Sequence, residues 1–217
     1  MPSDFIPIRK KENESSSSNM MYVVFVVDKS GSIAQSDFDT AIDFLKDIVN
    51  ALTIGTGDVQ VSVVSFSNTT DEEFDLDDYT DKTNLVTAID GLKSSITTTG
   101  GTFTNEALDY VQSTSFTNAK GVRTDADPIV VVMTDGLSQN TALTKTAADT
   151  IRSSITGSII YAIGIGSDLS STTQDLLYIA SDPDSDNVLY SCAYSHVLTF
   201  VWVHFEKPCI DPVAHIV

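Results

Sequence analysis

The sequence predicts an α/β fold, doubly wound about a mostly parallel six-stranded sheet with helices on both faces. Two apolar runs carry the first part of that expectation. Tyr22 to Val27 and Ile129 to Met133 are continuous rather than alternating, as strands are when both faces are covered. Each run ends at a polar turn that opens with an acid, Asp28 in the first and Asp135, after Thr134, in the second. The second part is the alternation of such runs with stretches of helical spacing, which implies right-handed crossovers and a parallel sheet.

Composition sets the outer limits. The 217 residues suit one domain with tails, and 41% hydrophobic against 19% charged residues is a globular balance. A net charge of −18 repels nucleic acid and anionic lipid, and favours cations or basic partners. No apolar run approaches the length of a membrane-spanning helix, so membrane insertion is not expected.

The elements follow in order. Residues 1–19, with a basic cluster and a run of four serines, read as a flexible leader; the domain occupies 20–206 and a tail 207–217. After the first strand, Ser36 with Asp39 predicts a capping box. Phe38, Ala41, Ile42, Leu45, Ile48, Val49 and Leu52 then share one helical face. Gly55 to Asp58 breaks that helix, and Val59 to Phe66 is the next strand. The acidic stretch Asp71, Glu72, Glu73, Asp75, Asp77 and Asp78 around Phe74 is expected as a charged edge strand and solvated loop, not a second metal site. Leu85, Ile89 and Leu92 mark a second helix, and Asn105 to Val111 a third. Pro128 can open the strand Ile129 to Met133, where its missing donor is tolerated. Leu143, Ala147, Ile151 and Ile155 predict another helix, and Ile159 to Ile165 another buried strand. A short helix over Thr172 to Ala180, a strand over Asn187 to Tyr190 and a final helix over Ser195 to Phe205 complete the chain.

The turn after the first strand bears the chemistry. Asp28, Ser30 and Ser32 offer a carboxylate and two hydroxyls at alternating positions, and Gly31 leaves the backbone free to converge them. Thr99-Gly100-Gly101-Thr102 and Thr134-Asp135-Gly136 supply ligands of the same hard-oxygen kind. Such a set suits Mg²⁺, Mn²⁺ or Ca²⁺ rather than a soft metal.

These residues resemble the von Willebrand factor type A family, whose metal-ion-dependent adhesion site reads Asp-x-Ser-x-Ser, then a threonine, then an aspartate. Asp28, Ser30, Ser32, Thr102 and Asp135 match all five positions in order. The resemblance covers roughly Met21 to Phe205 and implies a Rossmann-like sheet. It further implies that the serines and the threonine touch the cation while the aspartates act through water. The expected partner is an extracellular matrix protein supplying an acidic residue, and the expected location is extracellular. Matrix and collagen-type domains, with integrin inserted A domains, are the subtypes most resembled. The segment Val197 to Phe205, VLTFVWVHF, is more apolar and β-branched than the family's last helix.

Catalysis is not expected. His196, His204 and His215 all lie in the last stretch with no His-Glu-x-x-His arrangement and no partner acid at catalytic spacing, and neither a Gly-x-Ser-x-Gly elbow nor a phosphate-cradling Gly-Lys-Ser/Thr loop occurs. Gly164-Ile165-Gly166 lacks the third glycine of a nucleotide fingerprint. Cys192 and Cys209 allow one disulfide or two free thiols, without the spacing of a zinc site. The N-terminus has no apolar core of a signal peptide, which keeps open an intracellular scaffold of the same family. Asn13-Glu14-Ser15 and Asn68-Thr69-Thr70 fit the glycosylation acceptor pattern.

Overall fold

A computed structural model of the chain describes residues 20–136, 138–165 and 174–190. The expectations for the leader, the helix Ser195 to Phe205, the tail, both cysteines, the three histidines and Asn13 lie outside these residues.

The first strand, β1 (Met21–Asp28), leads through a loop into α1 (Gln35–Ala51). Strands β2 (Val59–Phe66) and β3 (Thr70–Phe74) precede helices α2 (Lys82–Ser95) and α3 (Thr104–Tyr110). Then come β4 (Asp127–Thr134), α4 (Thr141–Ser154) and β5 (Ile159–Gly164). Two short helices, α5 (Gln174–Ile179) and α6 (Asp184–Asn187), precede β6 (Val188–Tyr190). The sheet order is β3-β2-β1-β4-β5-β6. All neighbours are parallel except the edge strand β3, which runs antiparallel to β2.

Alternation along β1 explains its unbroken apolar run. Val23, Phe25 and Val27 pack with α1 and α2, whereas Tyr22, Val24 and Val26 pack with α3, α4 and α5. Each face needs its own apolar residue at every second position, so no polar residue is left to interrupt the strand. Fully burying one such valine or phenylalanine contributes about 1.5–3 kcal/mol. The seven residues of the expected α1 face are all buried.

Strand order also locates the site. From β1 the chain moves to β2 and β3 on one side, then crosses to β4 on the other. The carboxyl ends of β1 and β4 therefore flank the crevice where strand order reverses, which is where open α/β sheets bind ligands. Asp28 is the last residue of β1, and Asp135 follows the last residue of β4.

Three local expectations are corrected. Helix α1 begins at Gln35 behind Ala34, with no side-chain cap, and Ser36 lies inside the first turn. Gln35 instead reaches across to the end of α2, donating to the Ile96 carbonyl (3.2 Å) and accepting from the Thr98 N–H (3.1 Å). A tertiary contact thus takes the place of the local cap. Leu143 is 51% exposed, and Thr144, Ala147, Ala148 and Ile151 form the buried face of α4. Ala147 and Ile151 are buried as expected, so only Leu143 leaves that face, and Asn140 caps the helix by accepting from the Leu143 N–H (3.1 Å). Finally, α3 continues past Val111 as a π-helical turn, Val111–Ser115.

Candidate metal centre

At the end of β1 the Asp28 carboxylate is completely buried. Its Oδ1 accepts from the Ser30 N–H (2.8 Å) and its Oδ2 from the Thr134 hydroxyl (2.7 Å). Desolvation nevertheless pushes this carboxyl up from 3.8 to about 6, against those hydrogen bonds, with the Asp135 carboxylate adding to the rise. Lys29, the next residue, directs its ammonium to Asp71 instead (2.7 Å). A buried acid in this state is a place where positive charge would be stabilising.

Two hydroxyls continue outward from it. Ser30 is buried and Ser32 exposed, and their Oγ atoms lie 3.0 Å apart. Thr102 is 4% exposed on the Gly-Gly loop, and Asp135 is partly exposed.

Backbone hydrogen bonds bring the three segments with candidate ligands together. The Thr99 N–H donates to the Lys29 carbonyl (2.8 Å) and the Gly31 N–H to the Gly100 carbonyl (3.0 Å). These join the first loop to the second. The Gln139 N–H donates to the Thr102 carbonyl (2.8 Å), which joins the second to the third. Glycine is needed where these loops touch: Gly100 has φ +86°, and a Cβ on Gly31 would stand 3.3 Å from the Gly100 carbonyl oxygen.

Three residues support these loops in roles that the sequence did not indicate. Thr134 braces Asp28 and also accepts from the Gly136 N–H (3.1 Å). Asp175, buried on α5, accepts from the Ser138 N–H (2.8 Å) and hydroxyl (2.5 Å), three residues beyond Asp135. Asn68, in the turn between β2 and β3, accepts from the Gly101 N–H (2.7 Å). Thr134 had a signal in its place beside Asp135 at a strand end. Asn68 and Asp175 had none, because nothing local relates them to the loops they hold.

The donor set suits a hard cation. Among the described residues no three His, Cys, Asp or Glu side chains converge, and the oxygens beside Asp28 are the hydroxyls of Ser30 and Thr134. The acidic run is engaged elsewhere. Asp71 pairs with Lys29, Glu72 with Lys120, and Glu73 accepts from the Ser65 hydroxyl (2.5 Å).

A parallel sheet that gathers carboxylates and hydroxyls at its switch point defines a class of α/β ligand-binding domain. The chain belongs to the von Willebrand factor type A domain family, whose model matches residues 23–201. It is 31% identical to human matrilin-1 over 176 residues, covering 80% of this chain and 34% of matrilin-1. It is also 31% identical to the mouse collagen alpha-4(VI) chain over 172 residues, 79% of this chain and 7% of that collagen. The chain thus spans about a third of matrilin-1 and a small part of the collagen. Among solved structures, proximal thread matrix protein 1 from the mussel byssus superposes with a TM-score of 0.71 at 26% identity. That match covers 85% of this chain and 46% of the other, in a form whose adhesion-site motif is occupied by zinc. The manganese-loaded TRAP protein of Plasmodium vivax shares the fold, with a TM-score of 0.74 at 22% identity over 86% of this chain and 73% of that one.

Proposed function

We propose that this domain is a divalent-cation-dependent protein-binding module of the extracellular matrix or cell surface. Asp28, Ser30, Ser32, Thr102 and Asp135 hold the cation, with Mg²⁺, Mn²⁺ or Ca²⁺ as the ion. The observation that carries the reading is the Asp28 carboxylate, buried and pushed up by desolvation, at the inner end of a path of hydroxyls. Metal-loaded neighbours and relatives named as matrilin, collagen and thread matrix protein support it.

A cation bound there supplies an open coordination position for a carboxylate of a partner protein. The residues of this chain do the orienting. Ser30 N–H and Thr134 Oγ1 fix the two oxygens of Asp28, and the bonds among Lys29, Gly31, Thr99 and Gly100 set the first two loops against each other. Three neutral hydroxyls and two acids leave room for the partner's charge, which gives orientation as well as affinity.

The test is calorimetric titration of Mg²⁺, then Mn²⁺ and Ca²⁺, into chelator-stripped protein, with Asp135→Ala as control. One-to-one binding that disappears in the variant is the expected result. Uptake unaffected by Asp135→Ala would remove these residues as the site. Acidic matrix proteins captured only in the presence of the cation would then establish the partner class.

A further inference from the structure

The loop that presents Thr102 places two adjacent glycines immediately before it. Gly100 adopts φ +86° and Gly101 follows it. Such a pair loses more conformational freedom on ordering than any other two residues. Backbone bonds secure the loop on either side, through Gly100 to Gly31 and through Phe103 N–H to the Ser67 carbonyl (3.2 Å). The Gly101 N–H itself is held by the Asn68 side chain, at 2.7 Å. The carboxamide lies flat on the loop: a Cβ on Gly100 would meet its Cγ, Nδ2 and Oδ1 at 2.9–3.1 Å. Glycine at 100 and asparagine at 68 are therefore matched, across a gap of 33 residues between the bonded pair.

We propose that Asn68, which supplies no ligand, is a positioning residue that fixes Gly101 and through it the Thr102 hydroxyl. The turn between β2 and β3 is then a fourth loop of the site. Ser67 N–H donates to the Thr69 carbonyl (2.9 Å), so the turn is tight enough to act as a clamp. Its exposure means that the clamp serves the loop and not the core. The cation readout rests on the adhesion-site reading above; the loop readout does not.

The experiment uses the full chain, stripped of metal, in four forms: wild type, Asn68→Ala, Asn68→Asp and Thr70→Ala. Asn68→Asp keeps an acceptor for the Gly101 N–H. Thr70→Ala removes the glycosylation pattern but leaves Asn68, so that an effect of a sugar on Nδ2 is separated from loss of the Oδ1 bond. With Asn68→Ala, amide exchange at Gly101 accelerates about tenfold and the Kd for Mg²⁺ rises about three- to tenfold, while the metal-free Tm stays within about 2 °C. Asn68→Asp restores protection and binds within about twofold of wild type or tighter, and Thr70→Ala behaves as wild type. Unchanged Gly101 exchange in Asn68→Ala overturns the proposal, as does unchanged Mg²⁺ affinity alongside a wild type that binds. Failure of Asn68→Asp to restore either readout also overturns it. If wild type takes up no Mg²⁺, the adhesion-site reading fails and Gly101 exchange alone decides the clamp.

Discussion

Thr134 and Asp28 stand at the ends of neighbouring parallel strands, and the threonine hydroxyl donates to the aspartate Oδ2 at 2.7 Å. The two residues are 106 positions apart. Their bond links the first ligand-bearing segment to the third without using a ligand-ligand contact, and the same hydroxyl accepts from Gly136. Thr134→Val keeps the shape and removes both bonds. A hydrogen bond to a charged group is worth about 1.5–3 kcal/mol, so the variant loses about 2 kcal/mol in urea denaturation. Mg²⁺ affinity, by calorimetry, falls about tenfold because Asp28 is no longer oriented.

Asp28 is expected to cost the metal-free fold stability. A carboxyl raised from 3.8 to about 6 corresponds to roughly 3 kcal/mol of unfavourable burial near neutral pH. Asparagine removes the charge but can accept only one of the two hydrogen bonds, giving back about 1–2 kcal/mol. The remainder makes Asp28→Asn about 1 kcal/mol more stable than wild type without metal at pH 7.5, while Mg²⁺ binding is abolished. A variant less stable than wild type would show that Asp28 is a structural residue first.

Arg123 secures the opposite end of the sheet. Its guanidinium donates to the carbonyls of Thr56 (2.7 Å), Met21 (2.8 Å) and Asp58 (2.7 Å), tying the starts of β1 and β2 together. Arg123→Ala therefore lowers stability by about 2 kcal/mol in urea denaturation. Cation affinity stays at the wild-type value, since the loops at the carboxyl ends are untouched.

A four-residue charge cluster joins α1 to α2: Asp43, Lys46, Asp90 and Lys93. The Lys93 ammonium bonded to Asp43 holds that carboxyl below its usual range. The folded value is thus depressed, so its contribution is present above 3.8 and is lost as pH falls from there through the folded value. Because the pairs are partly exposed, the contribution is only about 0.5 kcal/mol. Asp43→Asn should be less stable than wild type by that amount at pH 7, and the gap should close in 1 M salt or in acid.

Much of the fold was legible because burial on both faces leaves a periodic trace in the chain. The runs in β1 and β4 and the α1 face from Phe38 to Leu52 carry it, whereas the edge strand at Phe74, buried at that residue alone, was marked by its acidic residues. Helix α4 shows the limit. Leu143 and Thr144 compete for one face, hydropathy favours the leucine, and capping by Asn140 with packing against the sheet buries the threonine instead. Ser36 failed as a cap for a similar reason, since Gln35 found partners at Ile96 and Thr98, far along the chain.

The candidate site divides along the same line. Asp28, Ser30 and Ser32 are close in sequence, and Thr102 and Asp135 announce themselves by glycines or by a strand end, so the candidate oxygens could be named directly. By itself the sequence determined which oxygens were available and that strands would deliver them, because side-chain chemistry and strand periodicity are local properties. Only the tertiary structure decided that Asn68 holds Gly101, that Asp175 holds Ser138 and that Thr134 braces Asp28. Those bonds depend on strand order and loop approach, and hydrogen-bond partners brought together by folding have no fixed spacing along the chain.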